Sequence, residues 1–319
     1  SEFYQGKGAL CECFHSIGWS ATLQDLKLIS EGLILLGIDY LVPHGFFYST
    51  HGLKKHDAPP SCFFQMPYWS LFGELSRRLD KIYDHFQNTR IEARVLVVDP
   101  HSGLPEAEDL EIYEKIQHTL MGNHIDFNIV DTDILQQIEK TDSGLELNNK
   151  QIKLVIVPPL PVVEKPLQQE LEKFQEKGGE VLQLDRSWNQ ENFIEKVKEL
   201  IPPGISIKKS GKEISDIWTV TRANENTVKW FILNTGPEKY SRVEISSSDR
   251  DLQEVLLTET RKTNFLQKKD DSVYIRDIYP FESFMLTTAT GEKEDNFRAQ
   301  SGRSQKDLHK KADVSNNIN

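Results

Sequence analysis

Glu12 stands in GALCECFHSIGWS (residues 8–20), between two cysteines, after a short apolar run and before a Gly-Trp turn. A carboxylate at the end of a strand that reads as buried has two kinds of use. Structurally, it caps a helix or pairs with a nearby Lys or Arg. Chemically, it serves as nucleophile, general base or transition-state stabiliser in the cleavage of a glycosidic bond. His44 follows 32 positions later, across a strand-helix-strand path. A (β/α)₈ barrel spends roughly 31 residues per β/α unit, so on a barrel reading the two residues occupy equivalent points of neighbouring strands. Strand side chains alternate. Leu10, Glu12 and Phe14 then share one face, Cys11 and Cys13 the other, and Tyr40, Val42 and His44 share a face in turn. Glu12 and His44 would point inward near the C-terminal rim, where such barrels keep their active sites. The cysteines would pack outward as small apolar side chains. Sugar sites also use aromatic platforms, and Trp19, Tyr48, Tyr68 and Trp69 lie in the loops expected around Glu12. Taken alone, His44 reads more simply as a hydrogen-bonded structural histidine.

The elements that must position these residues follow from periodicity. A strand over Ala9–Phe14 leads through Gly18 to a helix with Thr22 as N-cap and Asp25 three residues on, a capping-box spacing. Leu26, Ile29, Leu33 and Leu36 recur at helical spacing, and Gly37 supplies the stop. A second strand spans Asp39–Phe47. After the loop STHGLKKHDAPPSCFFQMP, a helix carries Phe72, Leu75, Leu79, Ile82, Tyr83 and Phe86 on one stripe.

Residues 91–203 repeat the alternation more regularly. ARVLVV, DFNIVD, KLVIVPPL and EVLQL read as strands, and KLVIVPPL has the continuous apolar character of a strand buried on both faces. Helices carry Leu110, Tyr113, Ile116 and Leu120, then Leu167, Leu171 and Phe174, then Phe193, Ile194, Val197 and Leu200. This pattern predicts a doubly wound, mainly parallel sheet. No GxGxxG or P-loop opens any of its helices, so a nucleotide role has no support. Asp99, His101 and Ser102 in DPHSGLP read as a polar turn with Pro100 and Gly103. From 204 to 290, short alternating runs (IWTVTRA, VKWFILN, SRVEISS, QEVLLTE, SVYIRDI, SFMLTTA) predict an antiparallel β-sandwich, with Lys208, Lys209 and Lys212 in a solvated turn. Residues 291–319 are charged and polar, the composition of a disordered tail. The domain expectation is therefore 1–90, 91–203, 204–290 and the tail.

The net charge of −11 argues against a general nucleic-acid binder, since counterion release needs clustered Lys and Arg. No run of about 18 apolar residues exists, which excludes a helical membrane span. Three cysteines, Cys11, Cys13 and Cys62, fit a reducing, cytoplasmic setting better than a disulfide framework. A lone Cys-x-Cys is a poor zinc signature, because structural zinc takes four ligands. No cofactor is expected from the residues.

CECF…GWS and GIDYLVPH, with the loop HGLKKHDAPPS, resemble the last two strands of a glycoside hydrolase barrel of the large (β/α)₈ clan. The resemblance is to bacterial enzymes of family 106 (α-L-rhamnosidase-like) and family 42 (β-galactosidase-like). It extends to the module order: a partial barrel, a flavodoxin-like α/β domain resembling the family 42 trimerisation domain, then a β-sandwich. The resemblance implies that Glu12 is the catalytic glutamate of barrel strand 7, and that His44, Trp19 and Tyr48 contact a carbohydrate substrate; Trp69 joins them as an expected substrate contact from its place in the loops around Glu12. It also implies a homo-oligomer assembled through residues 91–203. Calcium, which some relatives use near the sugar, has no ligand cluster assignable here. Six barrel strands and the general acid are missing from this chain, and both carboxylates are needed for cleavage. The expectation is a C-terminal portion of a longer glycosidase, inactive by itself. The alternative is a non-catalytic carbohydrate-binding or assembly protein.

Overall fold

The computed structural model describes residues 8–56, 58–141, 144–247, 251–257, 266–269 and 273–288. The tail expected over 291–319 lies outside them. The chain opens with β1 (Leu10–Cys13), α1 (Leu23–Leu35), β2 (Tyr40–Pro43) and α2 (Trp69–Phe86). The capping box at α1 is formed: Thr22 Oγ1 accepts from Asp25 N at 3.2 Å and Asp25 Oδ2 accepts from Thr22 N at 2.8 Å. Gly37, at φ +94°, ends the helix. β1 and β2 pair in parallel, with Glu12 opposite Val42. β2 stops at Pro43 and does not reach the expected Phe47, because the chain turns at His44 into the loop toward α2.

β3 (Arg90–Ile91) leads into a four-stranded parallel sheet of β4 (Val95–Val98), β5 (Phe127–Val130), β9 (Leu154–Val157) and β10 (Glu180–Gln183), in the order β10-β9-β4-β5. Alternation divides each central strand between two cores. Val95, Val97, Leu154 and Ile156 pack on α3 (Ala107–Gly122) and α6 (Gln190–Leu200). Leu96, Val98, Val155 and Val157 pack on α5 (Lys165–Glu176), on the short α4 (Thr132–Leu135), and on a small meander of β6 (Glu139–Thr141), β7 (Gly144–Leu147) and β8 (Lys150–Gln151). The sequence reading assigned nothing to that meander. Its signal was Asn148-Asn149, both at positive φ (52° and 63°), joining β7 to β8 as a two-residue hairpin turn requires.

Two five-stranded antiparallel sheets follow, with orders β12-β11-β15-β18-β17 and β16-β19-β14-β13-β3. Their strands are β11 (Ile205–Lys209), β12 (Lys212–Glu213), β13 (Ile217–Ala223), β14 (Val228–Asn234), β15 (Tyr240–Ser247), β16 (Leu252–Val255), β17 (Gln267–Lys268), β18 (Val273–Ile278) and β19 (Ser283–Thr288). They share a core of Ile205, Ile207, Val243, Ile245 and Ile278 against Trp230, Ile232, Phe284 and Leu286. Lys208 to Glu213 forms the hairpin around the predicted turn.

The second sheet is buried on both faces. Val220, Phe231, Leu233 and Met285 point away from the shared core and pack on Ile34 and Leu35 of α1 and Ile82 and Phe86 of α2. Phe231 is fully buried and meets Phe86 edge to face at 6.3 Å. Phe231→Ala is expected to cost about 3–5 kcal/mol, read as a lower urea midpoint. A loss under about 1 kcal/mol would contradict this double-sided core.

Two partly buried groups at these junctions give opposite pH dependences. Burial, helped by the charge of Lys229, pushes His85 down to about 4 from its usual 6.5. The unfolded chain takes that proton near pH 6.5 and the folded chain does not, so this contribution to stability is lost as pH falls from 6.5 toward 4. Burial pushes the Asp126 carboxyl up to about 7. There the folded chain holds the proton, and stability falls as pH rises from about 4 through 7. In thermal melts between these limits, His85→Gln should abolish part of the acid-side loss and Asp126→Asn part of the loss above neutrality. Parallel pH profiles for wild type and both variants would refute the assignment.

Candidate functional site

β1 carries the candidate carboxylate on its outward-looking face. Leu10 is 65 % exposed, Tyr40 53 % and Val42 43 %, and Glu12 is exposed beside them. Among the described residues no hydrogen bond or ion pair engages the Glu12 side chain. The opposite face is packed. Cys13 is buried with Leu26 and Cys62, and Cys11 packs against the same cluster. Burial pushes the Cys13 thiol up to about 12 and Cys62 to about 11, so both are neutral thiols serving as apolar filler. This is the alternation expected of Cys11, Glu12 and Cys13.

Phe14 departs from that expectation. At φ +75° it leaves the strand and is 5 % exposed, packed among Cys13 and Leu26 rather than beside Glu12. Leu36, expected on the buried stripe of α1, is 60 % exposed, because α1 buries a second face containing Glu31, Ile34 and Leu35 against the sheet of β14.

The turn at Phe14 delivers His15 to the end of β1, where its ring centroid stands 4.8 Å from that of His44. The His44 amide continues the ladder, donating to Cys13 O at 2.8 Å. Its Nδ1 is buried without a partner among the described residues, and Phe47 stands edge-on at 6.0 Å. The two imidazoles thus sit side by side at the strand ends beyond Glu12. His15 was missed by the sequence reading, although it follows Glu12 by three residues. Strict alternation placed it on the cysteine face, and only the positive φ at Phe14 and at Ser16 (61°) brings it to the rim.

The expected aromatic residues separate into two groups. Trp19 donates its indole N–H to Lys55 O at 2.6 Å and stands edge-on to Phe47, so its ring, not its N–H, is what it can offer a ligand. Trp69 stacks on Phe72 and meets Phe46 and Phe63 edge to face. Tyr68 is buried, whereas Tyr48 is 89 % exposed. The loop carrying them is pinned from inside: Ser61 Oγ accepts from Phe47 N, and Gln65 Nε2 donates to Phe47 O at 2.6 Å.

The remaining candidates do not converge on this place. Asp99 Oδ1 accepts from His101 N at 2.9 Å and faces its ring, the local turn expected of DPHSGLP. Between β4 and β9, where the strand order reverses and open α/β sheets usually bind ligands, the loops meet directly. A Cβ on Gly103 would stand 2.8 Å from Leu160 and 2.9 Å from Val162 O. Among the described residues no group of three His, Cys, Asp or Glu side chains is placed to hold a metal ion.

No known family profile matches the sequence, and no curated protein matches it. Solved structures do. A rhamnosidase from Novosphingobium sp. PP1Y matches with a TM-score of 0.63 and 11 % identity, over 87 % of this chain and 31 % of its own. In fold, the chain is similar to glycoside hydrolases. A GH42 beta-galactosidase from G. stearothermophilus gives a TM-score of 0.61 and 12 % identity over 88 % of this chain and 54 % of its own. An exo-carrageenase GH42 from Bacteroides ovatus gives 0.60 and 11 % over 85 % and 39 %. The chain therefore spans about a third to a half of the length of these structures. The likeness covers 85–88 % of this chain.

Proposed function

We propose that this chain is the C-terminal part of a (β/α)₈-clan glycoside hydrolase, with β1 and β2 as neighbouring barrel strands, a flavodoxin-like domain over 91–203 and a β-sandwich over 204–290. The observation that carries the proposal is the exposed face of β1 and β2. A charged carboxylate at the C-terminal end of a strand lies in one row with exposed Leu10, and Tyr40 and Val42 stand exposed alongside. Further strands would cover such a face, leaving Glu12 at the rim with His15, His44 and the aromatic loop. The helices on the other side of the pair are already packed, as barrel helices are.

In this reading Glu12 acts on the sugar from one side. If the carboxyl pair is about 5–5.5 Å apart it is the nucleophile of a retaining reaction; at about 6.5–9.5 Å it is the base that activates water. Ring faces of Trp19, Tyr48 and Trp69 supply stacking surface, and His44 a hydrogen-bonding group toward the carbohydrate. The general acid comes from a strand outside this chain, so the chain alone is inactive. Residues 91–203 serve assembly into a homo-oligomer. Three unpaired thiols support a cytoplasmic setting, and no helix among the described residues is long and apolar enough to cross a membrane.

The test is hydrolysis of a panel of aryl glycosides by the isolated 319-residue chain. No turnover above that of Glu12→Gln is expected. Turnover by the chain that disappears in Glu12→Gln would overturn the inactivity. Sugar binding that ignores Glu12→Gln would favour a binding or assembly protein.

A further inference from the structure

Where the four-stranded layer meets the antiparallel sheets, a cleft of about 450 Å³ opens beside the residues that precede β4 and β5 and follow α6. This is the N-terminal edge of the parallel sheet, opposite the edge at which such sheets usually bind ligands. β13 and β14 form its other wall. The volume suits a small molecule.

Two observations give the cleft its chemistry. Trp230 is 3 % exposed, lines the cleft, and has its Nε1 buried with no partner among the described residues. An indole N–H can only donate, and leaving it unsatisfied costs about 1–3 kcal/mol. Asp126, from the parallel layer, lines the same cleft, and its Oδ1 accepts from Thr221 N at 3.0 Å. Its burial raises it to about 7, which marks it as a carboxyl withdrawn from bulk water. Thr221 and Trp230 are cross-strand partners. The space that a side chain on Gly204 would take lies against both: a Cβ there would stand 3.7 Å from Trp230 Nε1 and 3.8 Å from Thr221 Oγ1.

This pair of groups discriminates among ligand chemistries. An anion accepts from the indole and meets Arg94 in the lining, but Glu92 lines the same cleft and Asp126 offers it no counter-charge. A cation suits the two carboxylates but cannot accept from an N–H. Hydroxyls do both, one accepting from Trp230 and another donating to Asp126, and Ile125, Pro203 and Val228 provide apolar surface for the carbon skeleton.

We propose that this cleft is a second binding site, for a neutral polyhydroxylated molecule of monosaccharide size, with its hydroxyls held by Trp230 Nε1 and by Asp126. It makes no use of Glu12 and stands independently of the role proposed for that residue. The test is titration of the chain with D-galactose, L-rhamnose and D-mannitol, followed through the Trp230 indole N–H in a proton–nitrogen correlation spectrum. That signal is identified by its loss in Trp230→Phe or, should this variant not fold, by through-space contacts to Thr221. At least one of the three should shift it saturably, about tenfold more weakly in Gly204→Leu and unchanged in Glu12→Gln. No saturable shift with any of them would overturn the proposal. So would a shift unaffected by Gly204→Leu, or one that inorganic phosphate reproduces.

Discussion

Glu31→Ala should destabilise the fold by about 3–5 kcal/mol, the cost of leaving buried cations without their counter-charge. Glu31 is fully buried. Arg78 Nε donates to its Oε1 at 2.6 Å, and Lys27 Nζ and Ser283 Oγ donate to its Oε2 at 2.5 and 2.8 Å. Lys27 and Arg78 also reach the backbone carbonyls of Phe281 and Ser283 at 3.0 and 3.1 Å. The network therefore ties α1 and α2 to the start of β19, more than 200 residues away in sequence. Burial pulls the Lys27 ammonium below its usual range, and the Glu31 charge is what chiefly resists that pull. Removing Glu31 leaves two cations in a closed space; replacing the whole triad with apolar residues of similar volume should cost far less. Urea unfolding of the single and triple variants distinguishes the two. A Glu31→Ala chain as stable as wild type would mean that the helices are held by Phe231 and its neighbours alone.

Glu12→Gln should leave stability unchanged and act on chemistry only. The side chain is exposed and no partner engages it among the described residues, so exchanging the charge for an amide disturbs no contact. On the proposed role, the same exchange in the longer protein would remove the group that attacks the anomeric carbon or activates water, and an acid–base contribution alone is worth about 10²–10⁴-fold. A residue that is cheap to the fold and costly to turnover has the signature of a functional group. A structural carboxylate such as Glu31 shows the reverse.

Much of the architecture was legible in the sequence because periodicity, caps and turns agreed. Thr22 with Asp25, Gly37, the all-apolar runs 95–98 and 154–157, and the alternating runs 217–223 and 228–234 all form the elements they suggest. Three things were not legible. Glu31 reads as a surface charge on a helix with one apolar stripe; nothing local says that β19 will close over it. Phe231 and Leu233 alternate with Trp230 and Ile232, but a sequence does not say that both faces of a sheet are covered, here by α1 and α2. At the candidate site, the 32-residue spacing puts Glu12 and His44 at equivalent points, whereas Glu12 pairs with Val42 and His44 lies two residues further on; His15 and the burial of Phe14 depend on a left-handed backbone turn that no glycine announces. The cleft beside Trp230 is assembled from segments more than 100 residues apart, and its signal exists only in three dimensions.

The central claim is that Glu12 is one carboxylate of a sugar-cleaving pair whose other member lies outside this chain. Its most direct test is aryl-glycoside hydrolysis by the full product of the gene encoding this segment, wild type against Glu12→Gln, with melting temperatures measured alongside. The account predicts a fall in kcat/KM of about 10²–10⁴-fold at an unchanged melting temperature. Equal rates for the two proteins, or a coding frame that starts within a few codons of Ser1 and whose product cleaves no glycoside, would contradict it.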